Sequence, residues 1–287
     1  MLPNIPTSTI RCGLAGWLYQ HWNGLVYPEP WPRGIHRLEF LSRFLDVVEL
    51  RPGFEGPLRP EISRLWVQKV VHNPRFRFVA KLDASFTQER RIEERKKRLF
   101  EEGLRPLMEA GRLGCVLMQF PWSFRFTKEN REFLIRLRRC FHSYPLAAEM
   151  RHASWMSEEA LGTFIDYHIG FVNLDQAEHI KAMPPTSLLT SSIGYVRLLG
   201  RDKGAWLEDY SKPPESAPGG DYLYTAAELE EWVRRIRRIQ SFASEIYVVA
   251  ANDGGGKSAV NALQIQTMLE GRKRLAPRWL AGRRSAA

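Results

Sequence analysis

The sequence predicts an α/β protein, a closed (β/α)8 barrel of the TIM type with an eight-stranded parallel sheet. Three observations favour this fold class. Eight apolar runs recur along the chain, helical patterns separate most of them, and the 287 residues are 44% hydrophobic, which is enough for one large core. Strands that alternate with helices form parallel sheets, and eight such units fill about 250 residues, so the barrel is preferred over an open doubly wound sheet.

The predicted strands are short apolar runs rich in β-branched residues. They are Ile10–Trp17, Asp46–Arg51, Arg75–Leu82, Leu113–Phe120, Pro145–Arg151, His168–Asp175, Ile193–Gly200 and Glu245–Asn252. The segments between them carry helical signals. They are Gly34–Leu45, Arg59–Val71, Gln88–Ala110, Lys128–Cys140, Ser157–Tyr167, Thr225–Phe242 and Lys257–Glu270. Thr225 and Glu228 have the spacing of a capping box, which predicts where the Thr225–Phe242 helix starts.

Two units depart from regular alternation. Gln176–Ser192 contains Pro184 and Pro185, so the sixth helix is expected to be weak and short. Gly200–Tyr224 is rich in Gly, Pro, Asp and aromatic residues, so we expect a long loop after strand seven, a candidate lid on the C-terminal face. A single barrel domain is expected over residues 1–270, followed by a basic tail over residues 271–287.

The formal net charge of +10 is unevenly distributed. Residues 271–287 carry six Arg or Lys and no acid, which leaves 36 basic against 32 acidic residues elsewhere. A nucleic-acid footprint needs clustered charge on a folded face, whereas such tails are more often solvated ends. Nucleic-acid contact through the tail is therefore kept as the less favoured alternative.

The three cysteines, Cys12, Cys115 and Cys140, are scattered and form no disulfide framework or metal-ligand spacing. The first residues lack the pattern of a signal peptide, and no apolar run reaches the roughly 18 residues of a membrane span. These features predict a cytoplasmic protein with no membrane contact.

The stretch Pro145–Trp155 runs from an apolar strand into a cluster of charge. Side chains alternate along a strand, so Glu149 and Arg151 face the same side. An interior strand gains no stability from both charges, because each costs several kcal/mol to desolvate unless it is paired or lies at a wet mouth. A functional site is therefore expected at the C-terminal end of this strand, with Arg151 partly hydrated.

Polar or aromatic side chains follow at the C-terminal ends of all eight predicted strands. They are Trp17, Glu49, Arg51, Lys81, Gln119, Glu149, Arg151, Asp175, Arg197 and Asn252. In a barrel these ends converge on one mouth. A structural ion pair is the alternative for any residue taken alone, but the set as a whole favours a binding pocket. Trp17 and Trp155 are expected to line this pocket and not the layer between helices and strands.

The candidate catalytic residues are Glu149, His152 and Glu49. Glu149 is expected to act as acid or base, with His152 as its partner. For His152 two roles stay open, a general acid or base near neutrality and a helix cap that packs beside Trp155. The reaction class, whether hydrolase, lyase or isomerase, is not indicated.

The expected ligand is a small anionic or phosphorylated molecule, held by Arg151, Arg197 and Lys81. The other strand-end residues given above are expected to contribute to substrate binding. No organic cofactor is expected. A divalent metal held by Glu49, Glu149 and Asp175 is the less favoured alternative, because the neighbouring cations already compensate the carboxylates.

The segment Ala251–Ser258, ANDGGGKS, falls one residue short of the phosphate-binding pattern GxxxxGK[ST]. Ala251 replaces the first Gly, and Asp253 would place negative charge beside the phosphates, so a nucleotide loop is not favoured. An anion site is still expected, because glycines at a helix N-terminus expose backbone N–H groups, and phosphate sites of barrels occur after strands seven and eight. Its residues would be Gly254, Gly255, Gly256 and Lys257.

Several ordered motifs resemble the YecE-like family, known as domain of unknown function 72, from Gly13 to about Leu269. The matching residues are Gly16-Trp17 with Tyr19 and Trp22, Val48-Glu49, Lys81, Gln119-Phe120-Pro121, Glu149 to Trp155, Tyr195-Val196-Arg197 with Gly200-Arg201, and Asn252 with Ala259, Asn261 and Ala262. The resemblance implies a TIM-type barrel and carries no established reaction.

Three positions depart from the family pattern. Arg51 stands in place of an asparagine, Leu199 in place of a histidine, and Ala251 in place of another asparagine. All three fall at the predicted mouth. Either this member acts on a different substrate, or it is a catalytically degenerate barrel that binds nucleic acid or protein through its basic tail.

Overall fold

The computed structural model describes residues 8–51, 58–203 and 221–271. Their strands form a closed barrel in which each strand pairs in parallel with its neighbours in chain order, which confirms the predicted fold class. The strands are β1 (Thr9–Ala15), β2 (Val47–Leu50), β3 (Arg77–Lys81), β4 (Leu113–Gln119), β5 (Leu146–Glu149), β6 (Ile169–Asp175), β7 (Ile193–Leu198) and β8 (Glu245–Ala250).

Helices within the described residues cover the outside of the barrel. They are α1 (Arg37–Leu41), α2 (Pro60–Lys69), α3 (Ala84–Thr87), α4 (Glu94–Glu109), α5 (Lys128–Cys140), α6 (Glu158–Asp166), α7 (Ala226–Gln240) and α8 (Lys257–Glu270). Short 3₁₀ helices span Gln20–Trp22 and Ala153–Met156. The predicted capping box at Thr225 and Glu228 is present and starts α7. The first predicted helix is shorter than expected, and the predicted Gln88–Ala110 helix begins only at Glu94.

The sixth unit contains no helix at all, where a short one was expected. Its chain instead follows β6 and bonds to it: the Thr190 hydroxyl donates to the Ile169 carbonyl at 2.6 Å and accepts from the Phe171 N–H at 2.9 Å. The Asn173 amide donates to the Leu188 carbonyl at 3.0 Å. The two prolines remove backbone donors that a helix would need, so side chains supply the contacts.

The register of the barrel decides which strand residues face inward. Residues paired across parallel strands point to the same side, and Glu49 pairs with Val79, while Leu174 pairs with Arg197. Glu49 and Arg197 contact each other, so both strands turn these residues to the interior. Asp175 follows Leu174 by one position and must therefore face the helices.

Some predictions fall on residues that the structure does not describe. These are the basic tail beyond Gly271 and most of the candidate lid, residues 204–220. In the described ranges, no helix has both the length and the apolar character that crossing a membrane requires. All three cysteines are free thiols.

Candidate functional site

Arg197 on β7 bonds to glutamates from two other strands inside the barrel. Its Nε and Nη2 donate to Glu49 Oε2 and Oε1 at 2.9 and 2.8 Å, and its Nη1 donates to Glu149 Oε2 at 2.5 Å. None of the three residues is more than 1% exposed. The convergence predicted from the strand ends is confirmed for these residues. The guanidinium connects β2, β5 and β7 across the interior.

Glu149 receives two further hydrogen bonds, from Arg151 Nε at 2.8 Å and from Gln119 Nε2 at 3.0 Å. Burial acts to raise the pKa of this carboxyl, but the charges and hydrogen bonds of Arg197 and Arg151 outweigh burial and lower the pKa to about 2. Glu149 is therefore a carboxylate at neutral pH with little tendency to take up a proton. The acid or base role expected for it is not supported.

Glu49 accepts a third hydrogen bond from the Tyr195 hydroxyl at 3.0 Å. Burial and the charge of Glu49 raise the pKa of Tyr195 well above its ordinary value, so the phenol stays protonated and donates. Tyr195 belongs to a motif that matches the family but was not predicted as a site residue. The available signal was its position two residues before Arg197, which puts both side chains on the same face of β7.

Arg51 and Arg151 are each only 6% exposed. Arg51 Nη1 donates to the Tyr19 hydroxyl at 2.9 Å, and that hydroxyl donates to the Ala15 carbonyl at 2.5 Å. The expectation that Arg151 is partly hydrated is therefore wrong. Its pairing with Glu149 allows the guanidinium to be buried at the strand end.

Lys81 differs from these paired groups. It is the last residue of β3, it is partly exposed, and its ammonium has no hydrogen bond or ion pair with any described residue. Burial, together with the positive charges of Arg197 and Arg51, lowers the pKa of Lys81 to about 8 against the opposing effect of Glu49 and Glu149. Lys81 is thus a cation at the mouth that lacks a fixed partner among the described residues.

Trp17 and Trp155 do not line a pocket, contrary to expectation. Both have 0% exposure. Trp17 packs edge-on against Trp66 of α2, with ring centroids 5.1 Å apart. Trp155 stacks on Phe124 at 5.4 Å, and its Nε1 donates to the Phe124 carbonyl at 2.7 Å. The two rings fill the layer between strands and helices because each finds aromatic partners there.

His152 caps the 3₁₀ helix Ala153–Met156. Its Nδ1 accepts from the Ser154 N–H at 3.1 Å and lies 2.8 Å from the Ser154 hydroxyl, and its ring packs on Trp122. Burial, followed by the charges of Arg125 and Lys181, lowers the pKa of His152. The capping role that the sequence left open is supported, and no hydrogen bond between described residues joins this ring to Glu149.

Asp175 belongs to a separate network on the outer side of the barrel wall. Arg201 holds its carboxylate with two hydrogen bonds of 2.9 and 2.7 Å, the Tyr224 hydroxyl donates at 3.0 Å, and Trp232 of α7 donates through Nε1. Asp175 therefore does not lie with Glu49 and Glu149, the two carboxylates with which the sequence grouped it. The described residues contain no group of three or more His, Cys, Asp or Glu placed to bind a metal.

Asn252 and Asn261 hold the chain that enters α7. Asn252 Nδ2 donates to the Tyr222 carbonyl at 2.7 Å and to Asn261 Oδ1 at 2.8 Å. Asn261 Oδ1 accepts from the Tyr224 N–H at 3.0 Å, and Asn261 Nδ2 donates to the Tyr224 carbonyl at 3.1 Å. Asn252 is 0% exposed, and its Nδ2 has a structural role here, while its Oδ1 is buried without a hydrogen bond from any described residue.

The glycine segment before α8 is occupied by an acidic side chain. Lys257 pairs with Asp221 at 2.8 Å, and a Cβ on Gly254 would lie 2.1 Å from the Asp221 carboxylate. Gly256 caps α8 in the left-handed conformation, at φ 79°. An anion at Gly254, Gly255, Gly256 and Lys257 would have to displace Asp221, which the sequence did not indicate as a neighbour.

Comparison with known proteins gives one consistent family. The family described as "Protein of unknown function DUF72" matches residues 11–283. UPF0759 protein YunF of Bacillus subtilis (strain 168) is 26% identical over 277 residues, which is 91% of this chain and 95% of that protein.

Solved structures agree. A DUF72 family protein from Thermotoga maritima MSB8 has 30% identity and a TM-score of 0.77 over 91% of this chain and 99% of its own. Another, from Enterococcus faecalis V583, has 25% identity and a TM-score of 0.74 over 92% and 98%. The predicted YecE-like relationship is confirmed: the chain belongs to the DUF72 family.

Proposed function

We propose that the C-terminal mouth of this barrel binds a small anionic molecule and that Lys81 makes the contact with its charge. The observation that carries this proposal is the contrast between Lys81 and its neighbours. Glu49, Glu149 and Arg197 bond to one another, whereas Lys81, a partly exposed residue, has no hydrogen bond or ion pair with any described residue. An ammonium that has lost hydration gains most from an anion that supplies the missing acceptors.

The charge balance supports an anionic ligand. Among the described residues of the mouth, four cationic side chains, Arg51, Arg151, Arg197 and Lys81, stand beside the two carboxylates Glu49 and Glu149. Clefts lined by one excess sign of charge concentrate ligands of the other sign. The mouth of a TIM-type barrel is also where such proteins carry their sites.

We propose Lys81 as the residue that exchanges protons in this site. A group exchanges protons effectively when its pKa lies near the working pH, and the Lys81 pKa of about 8 meets that condition, whereas the Glu149 pKa of about 2 does not. Glu149 then acts as a fixed negative charge that orients Arg197 and Arg151. Acid–base chemistry on an anionic substrate is therefore proposed with Lys81 in place of Glu149.

Thermal melts with a panel of anions test this proposal. The panel contains inorganic phosphate, phosphorylated sugars and small carboxylic acids, each compared with potassium chloride at equal ionic strength. A ligand at one hundred times its Kd stabilises the folded state by about 2.7 kcal/mol, which is a rise in Tm of about 5 °C or more for a protein of this size.

Two variants separate a site from a general salt effect. Lys81→Met should lose the ligand-induced shift, while the matched variant Lys128→Met removes an exposed lysine at the start of α5 and should keep it. The proposal fails if no anion exceeds the potassium chloride control, or if both variants respond as the wild type does.

A further inference from the structure

Lys81 is the single lysine on the eight strands of the barrel. The other lysines in the described ranges lie on helices or connections. Lys81 is the last residue of β3 and is partly exposed, and its amine lies near enough to Arg197, Glu49 and Glu149 to be affected by their charges. The residue therefore lies at a strand end beside the buried network in which Arg197 joins Glu49 and Glu149.

The surroundings of Lys81 activate its amine. Burial and the nearby guanidinium groups of Arg197 and Arg51 oppose the charged form, and the pKa falls from 10.5 to about 8. At pH 7.5 roughly a quarter of such an amine is neutral, against about one part in a thousand for a lysine with the ordinary pKa. Desolvation and adjacent cations are the two means by which proteins make lysine nucleophilic.

The amide oxygen of Gln119, at the same mouth, also has no hydrogen bond from a described residue. Lys81 pairs with Leu117 of β4, and Gln119 lies two positions further along β4 on the same face. Gln119 is 5% exposed. Its Nε2 donates to the Glu149 carboxylate, which settles the orientation of the amide, and its Oε1 is buried without a hydrogen bond from any described residue. An unpaired buried acceptor is satisfied by a ligand hydroxyl or a bound water.

We propose that Lys81 forms a Schiff base with an aldehyde or ketone that carries an anionic group and a neighbouring hydroxyl. This inference rests on the proposed function, because it places the covalent step at the same anion-binding mouth. The phosphate or carboxylate of the substrate compensates the cationic excess, and the hydroxyl supplies the donor that Gln119 Oε1 lacks.

The covalent step needs no oxidant or reductant. The neutral Lys81 amine attacks the carbonyl carbon, a C–N bond forms, and the carbonyl π electrons move to oxygen. That oxygen takes one proton from the amine and one from solvent, the C–O bond breaks, and water leaves. The product is a protonated iminium with a C=N bond, and its positive charge lies near the carboxylates of Glu49 and Glu149.

Reductive trapping tests this inference on the full-length protein. The protein is incubated at pH 7.5 with dihydroxyacetone phosphate and sodium cyanoborohydride, which adds hydride to an iminium and converts it into a stable secondary amine. Peptide mapping by mass spectrometry then gives the rate of modification at each lysine. Lys81 should be modified faster than the exposed Lys128 by about two orders of magnitude, the ratio of their neutral amine fractions if Lys128 behaves as an ordinary lysine.

Three controls define the outcome. Lys81→Arg keeps the charge but cannot form the adduct, so labelling should fall to the level of surface lysines. Dihydroxyacetone without phosphate should label Lys81 more slowly, and inorganic phosphate should slow labelling by the phosphorylated probe. Equal labelling of Lys81 and Lys128 by the phosphorylated probe overturns the inference.

The two proposals fail in different ways. If dihydroxyacetone phosphate raises the Tm of the wild type but leaves Lys81 unlabelled, anion binding stands and the Schiff base is refuted. If the probe neither stabilises the protein nor labels Lys81, both are refuted. Melting of Lys81→Arg near the wild-type temperature shows that loss of labelling is not loss of folding.

Discussion

Substitution of Arg197 by Met should leave the Glu49 carboxylate with much weaker support than the Glu149 carboxylate. The change removes three hydrogen bonds, two to Glu49 and one to Glu149. Glu149 keeps the charged donor Arg151 and the amide of Gln119, whereas Glu49 keeps the neutral hydroxyl of Tyr195. Breaking a buried ion pair by removing one partner costs about 3–5 kcal/mol. We expect Arg197→Met to lower the free energy of unfolding by about that amount at pH 8.

The difference between the two glutamates gives a sharper test than the total loss of stability. Glu49→Gln in the Arg197→Met background removes the stranded charge and should recover about 2–3 kcal/mol, whereas Glu149→Gln in the same background should recover less than about 1 kcal/mol. The loss in Arg197→Met should also be smaller at pH 5 than at pH 8. A carboxylate left without its cation favours protonation, so its penalty is weakest at low pH and grows as the pH rises.

Guanidinium chloride unfolding, followed by tryptophan fluorescence and circular dichroism, measures these differences as shifts in the midpoint at constant slope. Arg197→Lys is the control that retains one positive charge without the fork of donors. Equal recovery from the two Gln substitutions, or a loss that does not change between pH 5 and pH 8, would show that the interior network does not have the unequal support described for its two carboxylates.

Three further outcomes follow from single contacts. Lys81→Met should raise the free energy of unfolding by about 1–3 kcal/mol at pH 7, because it removes a charge that burial opposes. The pKa of Lys81 is about 8 in the folded wild type and 10.5 in the unfolded chain, so the folded state binds fewer protons between these two values. The gain should therefore shrink from pH 8 to pH 10.5 in denaturant titrations at different pH values. Asp175→Asn should lower stability by about 2–3 kcal/mol through its lost contact with Arg201, while the Tm response to anions stays that of the wild type. His152→Ala should lose about 1 kcal/mol relative to His152→Asn in urea unfolding, because only Asn can still accept from the Ser154 N–H.

The convergence of Glu49, Glu149 and Arg197 could be predicted because it depends on two properties that a sequence displays. Strand polarity follows from alternation with helices, and the C-terminal ends of parallel strands must meet when the sheet closes. The positions of charged residues at those ends then place them together, although the partners are 48 and 148 residues apart in the chain.

Asp175 could not be assigned in the same way. All seven residues of β6 are buried, so the strand shows no alternation of polar and apolar residues that would indicate its inner face. The register sets that face, and Leu174 pairs with Arg197 while Asp175 pairs with the outward Leu198. A shift of one residue in the pairing of β6 with β7 would therefore turn Asp175 from the helix side to the interior of the barrel.

The protonation of Glu149 was also beyond the sequence. A carboxylate at the end of an apolar strand suggests a raised pKa and an acid or base role, because the sequence shows the burial and the nearby cations but not how closely each cation approaches the carboxylate. The outcome depends on two guanidinium groups that reach this carboxylate, Arg197 of β7 and Arg151, the second residue after β5. Aromatic residues pose a similar problem. Trp17 and Trp155 follow β1 and β5 in the chain, but the side to which their rings point depends on the packing partners Trp66 and Phe124.

The connection between β7 and α7 is anchored to the barrel at both ends. Near its start, the Gly200 N–H donates to the Tyr224 hydroxyl and Arg201 bonds to Asp175, and at its return the Tyr222 and Tyr224 backbones bond to Asn252 and Asn261. Closing a loop between fixed ends becomes only slightly more expensive as the loop lengthens, by about 0.6 kcal/mol per doubling. A change in the length of this connection should therefore cost the folded protein little stability, as long as the anchoring contacts of Gly200, Arg201, Asn252 and Asn261 are kept.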